Sequence, residues 1–136
     1  MTPEILARIT AARACRDLSD LARQGVGATA EPASSAERLT AARRLRVLAN
    51  EIVDRMVVAE ALAGTSWDEL AAALGRDPHT LATEYGESVA QWGGLTETEM
   101  EGEADSAEAL DAWYARHQED GDPPARTPVA NLLNRR

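Results

Sequence analysis

The chain has 136 residues, enough for one small domain with an extension and too few for a multidomain enzyme. Leu, Ile, Val and Phe supply 24 residues, about 18% and just under the level of roughly 20% at which high net charge signals disorder. A further 27 residues are Ala, which favours helix but buries little surface. Together with a net charge of −9 this predicts a thin helical core with part of the chain unfolded.

In chain order, Thr2, Pro3 and Glu4 read as an N-cap, a proline at the first helical position and an acid in the first turn. The helix they open is expected to reach Gln24 and stop at Gly25, with Ile5, Ile9, Ala12, Leu18 and Ala22 on its apolar side. Arg16 and Arg23 are placed to pair with Asp20 across turns. GVGATAEPASS follows as a loop. Its G-x-G-x-x-A pattern is not a dinucleotide fingerprint, because it follows a helix rather than a strand and runs into Pro32.

Ser34 with Glu37 fits a capping box. It opens a long central helix ending near Gly64, with Leu39, Leu45, Leu48, Ile52 and Met56 as its seam. The first turns hold Arg38, Arg43, Arg44 and Arg46 against Glu37, the densest basic cluster in the chain. A second capping box, Ser66 with Glu69, starts a short helix from Trp67 to Leu74 that Gly75 closes. Asp77 and Pro78 then start a helix reaching about Trp92. Two helices joined by a tight turn result.

LTETEMEGEADSA, after Gly93 and Gly94, is acidic and nearly free of apolar residues, and is expected to be an unfolded linker. Its acids at 97, 99, 101 and 103 read as a solvated charge run. Ser106, Ala107 and Glu108 start a last helix with Leu110, Trp113 and Tyr114 on its apolar side. The segment from His117 onward has three prolines and reads as tail, with Val129, Leu132 and Leu133 as a short apolar patch able to cover core. No strand pattern is present. The expectation is an all-α small helical bundle: a core over 1–92, an acidic linker over 93–105, a short helix over 106–118 and a flexible tail over 119–136.

SWDELAAALGRDPHTLATEYGESVAQW, residues 66–92, resembles bacterial helix-turn-helix units, in particular the promoter-recognition unit of sigma factors. The resemblance rests on Leu70, Ala71 and Gly75, with Leu74 and Leu81 holding the helices together and Trp67 and Tyr85 completing a small core against the central helix. It implies a DNA-binding regulator whose second helix presents His79, Thr80 and Thr83 to base edges, with Arg76 near phosphate. The sequence departs from the pattern in two respects. Arg76 stands where an apolar residue is usual, and the unit sets one Arg against Asp68, Glu69, Asp77, Glu84 and Glu87. Binding to double-stranded DNA would then depend on Arg43, Arg44 and Arg46 or on a second subunit. Residues 109–133 resemble the ends of small actinobacterial proteins of plasmid or mobile-element type, which implies an accessory or regulatory role.

The alternative is a helical adaptor that binds another protein, with the hairpin used only for packing. Residues 1–92 carry ten Arg against 13 acids and residues 93–136 four against ten, so the acidic segment 95–122 is a candidate to fold back over the arginine cluster. The thin core makes a homodimer through the first two helices a further expectation. Catalysis is not expected: there is no G-x-S-x-G, P-loop or H-E-x-x-H. Cys15, His79 and His117 lack metal-ligand spacing, and no cofactor motif is present. The N-terminus lacks a basic stretch leading into an apolar one, and no apolar run reaches the ~18 residues of a membrane span, so a cytoplasmic location is expected.

Overall fold

The computed structural model describes residues 1–103 and 105–134; Ala104 of the expected linker and Arg135 and Arg136 of the tail lie outside them. Among the described residues the chain forms seven helices and no strand. They are α1 (Pro3–Gly27), α2 (Ser35–Leu62), α3 (Trp67–Leu74), α4 (Pro78–Gly93), α5 (Glu97–Met100), α6 (Asp105–His117) and α7 (Ala130–Leu133). None of them is long and apolar enough to cross a membrane.

The N-caps form where the sequence predicts, although at Ser34 and Ser66 only the serine half of the expected capping box is made. Thr2, Ser34, Ser66 and Asp77 each accept a backbone N–H three residues on, satisfying a donor that a helix start leaves unpaired. The end of α1 differs from expectation. Gly25 and Gly27 stay helical, and the Ala28 N–H still reaches the Gln24 carbonyl, because glycine weakens a helix without terminating it. Gly75 does terminate α3: it adopts φ +65°, a left-handed conformation open to glycine at little cost.

α1 and α2 run side by side for most of their length, about 37 and 42 Å at 1.5 Å per residue. Ala7, Ala11 and Ala14 fall at helical spacing on α1 and are buried; Ala7 packs with Val58 and Ala59 of α2. Methyl groups on both sides let the two axes approach closely. Larger residues then cover the pair from two directions. Ile5 and Ile9 of α1 pack with Ala107 and Leu110 of α6 and with Val129, while Val57 of α2 packs with Leu70, Ala71, Leu81 and Tyr85.

The acidic segment and the tail are more ordered than their composition predicts. Thr96 and Glu99 form a reciprocal capping box that starts α5, Met100 is buried, and Glu103 pairs with Arg13 at 2.6 Å. In the tail, Val129 is buried and Leu132 and Leu133 pack against the α1/α6 cluster. Asp111 makes this possible. Only 6% exposed, its carboxylate accepts the N–H groups of Val129 (2.8 Å) and Ala130 (3.0 Å), capping α7, which has no side-chain cap of its own.

Replacing Asp111 with Ala leaves two backbone donors of α7 without an acceptor and is expected to lower stability by about 1–3 kcal/mol. Asp111→Asn keeps one acceptor and should lose less. Urea unfolding gives the cost, and amide exchange over residues 127–134 should rise in Asp111→Ala before the rest of the protein opens. Unchanged protection there would show that apolar packing alone holds α7.

Candidate interaction surfaces

Two surfaces carry the residues singled out by sequence: the outer face of the α3–α4 hairpin and the far half of the α1–α2 pair. The hairpin is held by its own inward side chains. Leu81 is fully buried, Leu70 and Ala71 are buried, and the Tyr85 hydroxyl donates to the Asp54 carboxylate of α2. Leu74, expected in this core, is 39% exposed, and Ala71, Val57 and the partly buried Ala61 and Trp67 take its place.

Outward, His79, Thr80 and Thr83 are exposed as expected, but both threonine hydroxyls have local partners. Thr80 Oγ1 donates to Asp77 Oδ2 at 3.1 Å, and Thr83 Oγ1 donates to the His79 carbonyl at 2.9 Å. The Arg76 guanidinium, expected near phosphate, is instead paired with Glu84, which raises its already high pKa. The Thr80 backbone and side-chain donors hold the Asp77 carboxyl below its ordinary value. The hairpin therefore presents Asp68, Glu69, Asp77, Glu84 and Glu87 with its one cation already paired.

The second surface arises because the covering elements stop short. Leu39 precedes Val57 by 18 residues, five helical turns, so the two share one face of α2. The α3–α4 hairpin covers Val57, which is 3% exposed, and leaves Leu39 70% exposed. This corrects the expected seam: Leu45, Leu48 and Ile52 are partly buried, whereas Leu39 and Met56 are exposed. Arg38, Arg43, Arg44 and Arg46 lie on this bare half, all exposed and in no ion pair among the described residues. The acidic segment does not cover them, since its Glu103 reaches Arg13 on α1. Nor does the fold merge them with the hairpin face, because Arg46 lies 11 residues before Val57, about 16 Å along the α2 axis.

A groove of about 550 Å³ runs between the two helices here, lined by Leu21, Val47 and Leu48 and bordered by Asp17, Asp20 and Gln24 of α1 and by Thr40, Arg43 and Arg44 of α2. Asp17 also borders a second hollow, toward the core, which Arg55 and Trp92 close with the guanidinium 5.0 Å from the indole ring. The α1 acids already have partners. Asp17 pairs with Arg16, while Asp20 accepts from the Trp113 indole at 3.1 Å and pairs with Arg23; the indole bond leads in holding the Asp20 carboxyl below its ordinary value.

For catalysis the structure gathers little. His79 starts α4 and His117 ends α6, where its ring stacks on Trp113. Cys15 is exposed on α1, with partial burial pushing its thiol up, away from the reactive thiolate form. Among the described residues no group of three His, Cys, Asp or Glu side chains is placed to hold a metal ion. No family model, curated protein or solved structure matches this chain.

Burial first, and the Asp54 carboxylate second, hold the Tyr85 phenol well above its ordinary value near 10. The folded state thus keeps this proton where the unfolded chain releases it. Its contribution to stability is complete below about pH 10 and is lost as pH rises further. Tyr85→Phe should cost about 1 kcal/mol at neutral pH and flatten the fall in stability between about pH 9 and 11, read by urea unfolding. An unchanged slope would locate the alkaline sensitivity elsewhere, at Tyr114 first, whose phenol is also raised.

Proposed function

We propose that the chain is a non-enzymatic helical adaptor that acts through protein contacts, with the α3–α4 hairpin serving to close the core. The segregation of its surface carries this reading. The hairpin's outer face is acidic and its one arginine is paired, whereas unpaired arginines and exposed large apolar side chains lie together on the α1–α2 arm. Phosphate neutralisation supplies most nonspecific affinity for a duplex, and an acidic recognition helix opposes it. Exposed apolar residues interleaved with Arg suit a protein interface, in which arginine and apolar anchors are enriched.

One observation favours the second reading, a DNA-binding regulator. Arg38, Arg43, Arg44 and Arg46 are the cations a phosphate backbone would need. The two readings separate in one titration. Fluorescence anisotropy of a labelled GC-rich duplex with the full chain, at low and at physiological salt, is expected to show no saturable binding. Affinity that falls steeply with salt and is lost on Arg43→Ala with Arg44→Ala would establish the regulator instead. The same double substitution removes no ion pair and should change stability by no more than about 0.5 kcal/mol, so a lost interaction would not reflect unfolding.

A further inference from the structure

The open groove between α1 and α2 is specific enough in shape and charge to name what it takes, given the reading above that the chain works through protein contacts. Near the core the space between these helices already holds a helix: Val89 and Trp92 of α4 pack with Ala7 of α1 and with Val58, Ala59 and Leu62 of α2. Beyond Trp92 it is open, yet keeps an apolar floor of Leu21, Val47 and Leu48, with Val47 56% exposed. Its rims differ. On α1, Asp17 and Asp20 are matched by Arg16, Arg23 and the Trp113 indole; on α2, Arg43 and Arg44 have no acidic partner among the described residues. The vacant contact is therefore apolar at the floor and anionic at one edge.

We propose that this groove binds an acidic amphipathic α-helix of a partner protein, its apolar stripe on Leu21, Val47 and Leu48 and its Asp or Glu side chains against Arg43 and Arg44. Helix-in-groove recognition reads apolar anchors at i, i+3, i+4 and i+7, and flanking charge sets which helices are admitted. A second copy fits less well, because the carboxylates it would bring to Arg43 and Arg44 are those of the opposite rim, Asp17 and Asp20, which already have partners. A duplex fits less well again, since the apolar floor meets nothing on a phosphate backbone.

The test uses the full chain at physiological ionic strength and a labelled synthetic helix of about 18 residues, long enough to span the groove at 1.5 Å per residue. One version carries Leu at the anchor spacing with Glu on the flanks; the other replaces every Glu with Lys. Saturable anisotropy is expected with the Glu peptide. Affinity should drop at least tenfold with the Lys peptide, with Arg43→Glu plus Arg44→Glu, and with Val47→Asp. Arg126→Glu, in the exposed tail, should match the parent. Amide exchange should show protection over residues 17–24 and 40–48. No binding of either peptide overturns the inference. Equal binding of both, or protection confined elsewhere, overturns the groove assignment and leaves the adaptor reading standing. Self-association in sedimentation that Val47→Asp abolishes overturns the named occupant in favour of a second copy. Displacement of the peptide by the GC-rich duplex with a steep salt dependence overturns the adaptor reading itself.

Discussion

The alanine-faced contact between α1 and α2 sets the terms for the rest of the molecule. Ala7, Ala11 and Ala14 are buried on α1, and Ala59 is buried on α2. A methyl group stabilises by only about 0.8 kcal/mol on burial, against roughly 1.5–3 for a large aliphatic side chain. Two helices joined this way pack closely but are weakly held, and the fold needs further apolar volume from outside the pair. α6 and α7 supply it over Ile5 and Ile9, and the α3–α4 hairpin supplies it over Val57. Both covers sit at the end of the pair where the chain termini of α1 and α2 bring Ile5 and Val57 together. Toward the opposite end the hairpin is missing and α6 meets α1 by polar contacts, Trp113 with Asp20 among them, so Val26, Leu39 and Val47 are exposed there. The bare arm is thus a consequence of a thin core, and it places the unpaired arginines well clear of the acidic α3–α4 hairpin.

Polar ties between distant parts of the chain complete what apolar burial leaves weak. Arg13 with Glu103, Trp113 with Asp20, and Asp111 with the start of α7 each join segments far apart in sequence. Asp111 carries the most, because a buried carboxylate without donors would be costly, whereas one satisfying two orphan backbone donors fixes both its own helix and the one it caps. Surface pairs of the other kind contribute little each. Their role here is to set direction: the acidic segment is drawn to α1 and away from the arginines of α2.

The elements legible in the sequence are those written by local chemistry. Thr2, Ser34, Ser66 and Asp77 fix helix starts within one turn, and Gly75 fixes a stop, so α1 to α4 and α6 follow from short stretches of chain. Thr96 and Glu99 write the same signal for α5, but the surrounding acids obscure it, and the burial of Met100 depends on the rest of the fold. The docking of Val129 could not be placed from sequence, because its partner Asp111 is 18 residues away and reads locally as one more surface acid. Leu39 failed for the converse reason. It has the period of a core residue, and only the length of the α3–α4 cover decides that it stays bare. At the hairpin, apolar spacing specified inward residues such as Leu70 and Leu81, while Arg76 was lost to Glu84, a pairing between the turn and α4. Local pattern therefore reached the turn and the core of this unit, but not the state of its surface.

Charge segregation also resolves how a chain of net −9 can present a basic site. Arg43 to Arg46 lie about 16 to 21 Å along the α2 axis from Val57, where the acidic hairpin packs. At physiological ionic strength the screening length is about 8 Å, so most of the body's negative potential has decayed before it reaches the arm. An acidic helix of the kind proposed would then meet a field set by the unpaired arginines, with an apolar floor beside them to hold it. The acidic hairpin face would repel the same helix, which favours approach from the arm. Net charge is thus a poor guide to partner here. The local charge balance follows instead from the distance between the acidic hairpin and the unpaired arginines, and the long α2 helix sets that distance.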